Sequence, residues 1–295
     1  MANAISTVTQ QFSTPYLTIA EYKQAPTAID VDDLVGGGTS AINDQELANV
    51  IARASSWMDA HCGQVLASTV DTETQRAYID RRGMLKIHPR YWPITQVVAL
   101  SYGPLPGLLA SVDPSTLWLE QESVIFPITG FSTAFAGPIQ FTGNYGSTSE
   151  QFVSITYVNG YANTALSASV GASATSLPVT DLTGFAPGYQ FQIYDGASTE
   201  ILYVDQSFVP ASGAGNLPLA SGTRFAHLAT VSVSALPPAI KQACIYVTSA
   251  ILKARGNAAL VMQTLTPQTF QTSNPSALAD YDAAVDILKP YRRVR

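Results

Sequence analysis

The sequence predicts an α+β protein with a helical-bundle core, a small antiparallel sheet and an inserted small all-β module that is barrel-like or sandwich-like. Three observations predict this class. Apolar residues recur at intervals of three and four in two long stretches, 43–63 and 238–256. Apolar and polar residues alternate in several runs between 77 and 161. Short β-rich runs separated by glycine and proline turns then follow over 165–235.

Composition limits the class of protein. The chain has 295 residues, of which 46% are hydrophobic and 12% are charged, and its net charge is −6. This hydrophobic content is that of a globular protein with one large or two ordinary domains. The charged fraction is about half the usual share, which favours a surface partly covered by neighbouring molecules. Tight binding to DNA phosphates is disfavoured, because that class of protein normally has a basic surplus.

A short helix is predicted to begin at Thr18. The spacing of Thr18 and Glu21 matches a capping box, in which each side chain accepts a hydrogen bond from the other residue's amide. Pro26 limits the helix to about two turns, because the residue before a proline avoids the helical conformation. The glycines at 36–38 lack the lysine and the strand-to-helix context of a phosphate-binding loop, so a flexible loop is predicted there.

A second, amphipathic helix is predicted from Asn43, as N-cap with Glu46 three residues on, to Gly63, which can end it in a left-handed conformation. Its apolar residues recur on one face. The positions predicted to pack in the core are Leu47, Val50, Ile51 and Trp57.

The middle of the chain is predicted to consist of strands. Alternating runs from Ala77 to Tyr161 are separated by short turns, which suggests antiparallel pairing in a hairpin or small sheet. The uncharged run of small residues at 162–176 is predicted to be a linker. The residues from 165 to 235 are then expected to form a compact β module inserted between the flanking elements.

Helices return at the C-terminal end. Pro238 suits a first helical turn and Gly256 an end, and the apolar stripe between them is Ile240, Cys244, Val247 and Ile251. A last helix is predicted from about Asn274-Pro275 to Pro290. It leaves a basic tail, 291–295, that contains Tyr291, Arg292, Arg293 and Arg295.

The residues that carry chemistry are few and scattered. His61, His88 and His227 lie in different segments without metal-ligand spacing, so no metal and no cofactor are expected. His61 and Cys62 are neighbours on a helix and do not face each other, which disfavours a thiol–imidazole pair; the two cysteines are expected to pack as small hydrophobic residues. No export signal or membrane-spanning segment is visible, and no membrane partner is expected.

Carboxylates offer one further possibility. Asp195 with Glu200, or Glu200 with Asp205, has the residue types of a glycoside hydrolase pair. A hairpin turn at Asp195-Gly196, followed by the polar face of a strand, explains the same residues more simply. No catalytic residue is predicted, and the chain is not expected to be an enzyme.

The order of these elements resembles the head–tail connector (adaptor, or head-completion) family of long-tailed bacteriophages. The resemblance rests on the stretches YLTIAEYK, ELANVIARASSWMDAHCG, RYWPITQVVALSYG, SITYVNGYA, LPPAIKQACIYVTSAILKAR and ILKPYRRVR, which together cover roughly half of the chain. In the family, the Gly-Tyr strand end leads quickly to the proline-initiated helix, whereas here the β module intervenes.

The resemblance implies a domain organisation and a role. Residues 1–164 and 236–295 would form the two parts of a connector core, with 165–235 as the inserted module. The chain would be a structural virion protein of the neck, assembled in the host cytoplasm. It would form a ring, expected to be a dodecamer, beneath the portal protein, extend the DNA channel and provide the platform for tail attachment.

Partners follow from the same resemblance. They are further copies of the chain, the portal protein, a tail-completion or tail-terminator protein, and passing DNA in transient, non-specific contact. The tail residues Tyr291, Arg292, Arg293 and Arg295 are the candidates for docking to the portal, because guanidinium groups pair bidentately with carboxylates. A basic helix end that only complements its dipole is the simpler alternative.

Two other functions remain open. One is a different virion component, such as a tail-completion or decoration protein that binds its neighbours through the β modules. The other is a glycan hydrolase carried on the particle, for which scattered carboxylates are the only support in the sequence.

Overall fold

The computed structural model describes residues 14–32, 34–80, 83–120, 122–128, 150–254 and 275–293. These residues belong to two compact units. The first lies within Ser68–Gly160. The second combines residues from Phe12–Ala67 with residues from Tyr161–Arg295.

The first unit is built on a seven-stranded antiparallel sheet with the spatial order β4-β3-β7-β1-β2-β6-β5. Its strands are β1 (Thr69–Ile79), β2 (Met84–Ile87), β3 (Ile94–Leu105), β4 (Leu108–Val112), β5 (Trp118–Leu119), β6 (Val124–Pro127) and β7 (Glu150–Asn159). β1 pairs with β7 over their whole length, from Thr69 opposite Asn159 to Tyr78 opposite Glu150. Alternate residues of these strands form one apolar core that includes Leu85, Ile155 and Tyr157.

In its described residues, the second unit contains four α-helices. These are α1 (Ile19–Gln24), α2 (Ser40–Cys62), α3 (Pro238–Lys253) and α4 (Pro275–Leu288). α3 packs against both α2 and α4, and the three helices share one apolar cluster with α1. Helices from the two ends of the sequence therefore fold together.

The described part of the same unit also contains six short strands. They are β8 (Asn163–Ala165), β9 (Ser176–Val179), β10 (Gln190–Tyr194), β11 (Glu200–Tyr203), β12 (Gly215–Pro218) and β13 (Ser232–Ser234). Four form an antiparallel sheet in the order β11-β10-β13-β8, and β12 pairs with β9. A separate apolar cluster that contains Phe185, Phe191 and Val233 lies among them. We call residues 162–235 the β module.

The predicted fold class, an α+β protein with a helical-bundle core, is wrong. Strands dominate the described residues, and the helices form one cluster in the second unit where a helical-bundle core had been expected. The alternation between 77 and 161 was interpreted as a hairpin or small sheet. Local alternation identifies a strand, but the number of strands that join one sheet depends on pairing between distant segments, such as β1 with β7.

Two local expectations also need correction. α2 begins at Ser40, and Asn43 lies inside it, where the side-chain oxygen accepts from the Val35 amide instead of capping the helix. The small-residue run is not a free linker, because β8 forms there and the following residue, Leu166, is buried. Short polar side chains such as that of Asn43 can hydrogen-bond to the backbone in several geometries, so its spacing from Glu46 did not show whether it caps the helix.

Other signals agree with the structure. Thr18 and Glu21 form both hydrogen bonds of the capping box. Gly63 ends α2 with a φ of 70°, and Pro238 occupies the first turn of α3. The predicted helix end at Gly256 lies outside the described residues. Among the described helices, none has the length and apolar character needed to cross a membrane.

Candidate docking surface

The basic tail lies against the C-terminal end of α2. The Arg293 amide donates to the carbonyl of Cys62 at 2.9 Å, and the Gln64 side chain donates to the carbonyl of Tyr291 at 3.3 Å. Both contacts satisfy backbone carbonyls that a helix end and a terminal turn would otherwise leave free. The tail is therefore fastened to its own chain as far as Arg293, and it does not extend as a free arm there.

Basic side chains lie close together at this end of the helix. Arg292 is exposed, and His61 in the last turn of α2 is half-buried. Burial lowers the pKa of His61, and the nearby Arg292 charge lowers it further. The partial negative charge at a helix C-terminus favours cations in this position. We call the surface formed by His61, Arg292 and Arg293 the basic end.

Aromatic rings lie next to the basic end. The Trp57 ring stacks on His61 with 5.0 Å between centroids, and it contacts Tyr281 of α4 at 4.7 Å. Tyr291 is half-buried and packs against the apolar cluster of the helices. Tyr291 thus anchors the tail to its own subunit, whereas the sequence had suggested an anchor for a partner. Arg295 lies outside the described residues.

The residues predicted to pack in the core lie on facing sides of α2 and α3. The hydroxyl of Ser55 on α2 lies 3.8 Å from the Cys244 sulfur on α3, which marks the contact between the two helices. Six of the predicted positions are buried and two are partly buried; in that order they are Leu47, Val50, Ile51, Ile240, Cys244, Val247, Trp57 and Ile251.

The two cysteines are buried and free. Burial raises the pKa of both the Cys62 and the Cys244 thiol to about 12. A nucleophilic cysteine needs a lowered pKa, so neither thiol is activated. Among the described residues, no group of three or more histidine, cysteine or carboxylate side chains is arranged to hold a metal ion.

A buried histidine occupies the space between the carboxylates that the sequence had singled out. In the β module, His227 lies 3.0 Å from Asp195 and 2.7 Å from Glu200, one contact from each ring nitrogen. Asp205 is not part of this cluster and accepts hydrogen bonds from Ser207 in a turn. A substrate therefore cannot lie between Asp195 and Glu200 as it would in a glycoside hydrolase.

A second buried cluster joins the β module to the helices. Lys241 of α3 contacts Glu21 of α1, the Ser232 hydroxyl at 3.3 Å and the face of the Tyr194 ring at 3.9 Å. Burial lowers the pKa of Lys241, against the opposing effect of Glu21. Neither this cluster nor the histidine cluster was predicted from the sequence. The one available signal was a lysine on the apolar pattern of α3, which needs a buried partner.

Comparison with known proteins gives a weak structural likeness. No protein-family model and no curated protein sequence matches the chain. Among solved structures, a chain described as "Neck of empty GTA particle computed with C6 symmetry" aligns with 99% of this chain and 96% of its own length, at 11% identity and a TM-score of 0.38. Such a TM-score does not establish a shared fold.

Proposed function

We propose that the chain is a structural subunit of the neck of a phage-like particle, a head–tail connector that assembles into a ring beneath the portal. One observation carries the proposal. The stretches that resemble the connector family at 46–63 and 236–255 and at the C-terminal end are far apart in the sequence, yet they meet in a single packed cluster. If these stretches form the core of a connector subunit, they must pack against one another in this way.

In this role the mechanism is geometric. A ring, expected to be twelvefold from the resemblance, would extend the DNA channel and offer a platform for a tail-completion or tail-terminator protein. The net charge of −6 fits a passage for DNA, because a wall that bound phosphates tightly would retard ejection.

The basic end is the proposed contact with the portal protein. Arg292 presents an exposed guanidinium at a position that the tail backbone fixes through Arg293 and Cys62. The planar guanidinium fork can pair bidentately with a carboxylate, and the held backbone sets where it lies. The proposed docking element is therefore a preformed surface, and Tyr291 supports it from within the subunit.

Electron microscopy of the purified protein, alone and mixed with portal-bearing capsids, tests the assembly. We expect rings at the portal vertex. Particles that bind the protein elsewhere, or not at all, would overturn the proposal.

Charge removal tests the docking surface more sharply than truncation, because a deletion that includes Tyr291 also removes packing from the helical cluster. The double variant Arg292→Ala/Arg293→Ala should lose binding to portal-bearing capsids. Arg53→Ala/Arg90→Ala removes the same charge from exposed sites elsewhere and should bind as the wild type does. Equal binding by the two variants would exclude the basic end as the docking surface.

A tail-completion or decoration protein is the second candidate, and the predominance of β-structure favours it. Such a protein would bind its neighbours through the sheets, and the Arg292→Ala/Arg293→Ala variant would then assemble normally. A particle-borne glycan hydrolase has less support, since His227 fills the carboxylate pair. A glycan-hydrolysis screen of the wild type and Asp195→Asn should detect no activity in either; activity lost in the variant would favour the enzyme.

A further inference from the structure

The buried histidine of the β module has a partner on each ring nitrogen. His227 lies in the connection between β12 and β13, and its side chain has no exposed surface. Nδ1 is 3.0 Å from Oδ2 of Asp195, and Nε2 is 2.7 Å from Oε1 of Glu200. Both carboxylates belong to the β10–β11 hairpin, so one imidazole ties the connection to the hairpin.

The hydrogen-bond donors and acceptors around His227 decide which protonation state of its ring fits these contacts. An ionised carboxylate only accepts hydrogen bonds, and a neutral imidazole has a single N–H. Burial by itself raises the pKa of Glu200, but hydrogen bonds from His227 and from the amides of Arg224 and Phe225 outweigh burial and hold it below the ordinary value. With ionised partners, both contacts are hydrogen bonds only when both ring nitrogens carry protons.

Glu200 also holds the backbone next to the histidine. Its Oε2 accepts from the Arg224 amide at 2.8 Å, and its Oε1 accepts from the Phe225 amide at 3.4 Å. His227 itself pairs through its backbone N–H and C=O with Val170. Residues 224–228 are thus fixed on one side to the hairpin and on the other to the loop after β8.

We propose that a doubly protonated His227 and the carboxylates of Asp195 and Glu200 form a clamp that holds residues 224–228 on the β10–β11 hairpin, and that acid opens this clamp. Protonation of Glu200 leaves the buried imidazolium without one of its two counter-charges and replaces a charge-assisted hydrogen bond with a weaker one. Such a cation is costly in an apolar surrounding. Residues 224–228 then separate from the hairpin, which exposes the backbone amides that Glu200 had bound.

Other charged groups lie near the clamp on its own segment and on the neighbouring helices, where the Lys241–Glu21 pair lies beside Tyr194, the residue before Asp195. Within 224–228, Arg224 is the one charged side chain besides the histidine, and it is exposed with its guanidinium over the Phe225 ring. The loop that pairs with His227, residues 166–176, has no charged residue. Thr230 follows the clamp with a φ of 70°, a strained conformation for a β-branched residue.

Nuclear magnetic resonance of ¹⁵N-histidine-labelled protein tests the protonation state. The chain has three histidines, so His61→Gln and His88→Gln suffice to assign the signals. His227 should show two slowly exchanging ring N–H signals, one on each nitrogen, because both nitrogens are buried against carboxylates. The exposed His88 should show none, because its ring protons exchange rapidly with water. A single ring N–H for His227 would overturn the proposal.

Hydrogen exchange tests the clamp itself. Relative to the wild type, Glu200→Gln and Asp195→Asn should each raise the exchange rate of the amides in 224–228 by at least about tenfold, while β9 and β12 remain protected and show that the module is folded. Asp205→Asn, a carboxylate in another turn of the module, is the control. In the wild type, the same amides should lose protection as the pH falls below about 4.5, the ordinary value for glutamate. Unchanged protection of 224–228 in both clamp variants would overturn the proposal.

Discussion

The Nζ of Lys241 lies 2.5 Å from Oε1 of Glu21, although 220 positions separate the two residues. Both side chains are almost fully buried. The second carboxylate oxygen of Glu21 accepts a hydrogen bond from the Thr18 amide. One side chain therefore both caps α1 and neutralises the charge of Lys241 on α3. The Lys241 ammonium also lies over Tyr194 of the β module, and the cluster thus joins three parts of the second unit.

Removing one member of this ion pair should destabilise the second unit strongly. Lys241→Met leaves Glu21 as a buried charge without its partner, and we expect a loss of about 3–5 kcal/mol in the free energy of unfolding. The double variant Glu21→Gln/Lys241→Met should recover much of this loss, because no uncompensated charge remains and glutamine can still cap α1. Chemical denaturation of the single and double variants measures the coupling.

The exposed pair Lys289–Asp286 provides a control for this cycle. Both of its side chains are about 70% exposed, and Lys289→Met should change stability by less than about 1 kcal/mol. If Lys289→Met and Lys241→Met lowered the free energy of unfolding equally, burial would not explain the cost of losing Lys241.

Glu200 should make the β module sensitive to acid. Its folded-state pKa lies below the ordinary value of 4.5, so the carboxylate stabilises the folded module above that pH. This contribution is lost as the pH falls below 4.5 and through the folded-state value. Calorimetry should therefore show a steeper fall of the melting temperature in the wild type than in Glu200→Gln. Replacement of the exposed Glu122 by glutamine should leave the slope unchanged.

The two thiols should resist modification in the folded protein. With pKa values of about 12 and fully buried sulfur atoms, Cys62 and Cys244 present almost no thiolate near neutral pH. A colorimetric thiol reagent should react with neither cysteine in native buffer and with both in denaturant. Rapid reaction of one native thiol, identified by mass spectrometry of the labelled peptide, would contradict the assignment of both residues to the core.

Two neighbouring glycines of the β3–β4 hairpin should respond differently to alanine. A Cβ at Gly103 would lie 1.9 Å from the carbonyl oxygen of Leu108, whereas nothing lies within 4 Å of a Cβ at Gly107. Gly103→Ala should therefore lower the free energy of unfolding by about 1–3 kcal/mol, because backbone atoms must move apart. Gly107→Ala is the matched control and should be tolerated. Thermal unfolding followed by circular dichroism distinguishes the two, and similar melting temperatures would show that the hairpin adjusts freely.

Some elements were predictable from neighbouring residues alone. Thr18 with Glu21, Gly63 and Pro238 each bring a local reason to start or end a helix, and the structure uses each of them in that way. Alternation of apolar residues likewise identified strands. The size of the sheet was not predictable, since β1 finds its partner β7 some eighty residues away and nothing in either strand specifies that choice.

The buried clusters lay beyond sequence reasoning for the same reason. His227 looked isolated because its partners, Asp195 and Glu200, are close to it only in the folded module. The sequence indicated only a basic tail after the last helix. In the structure, the Arg293 amide donates to the carbonyl of Cys62, so the tail lies against α2.

By itself, the sequence determined the helix signals at Thr18, Gly63 and Pro238 and which faces of the helices are apolar, because these features depend on contacts between residues a few positions apart. The tertiary structure alone decided that strands dominate, that Lys241 meets Glu21 and that His227 lies between two carboxylates. Those arrangements depend on contacts between distant segments, whose free energy arises only when the chain packs and excludes water.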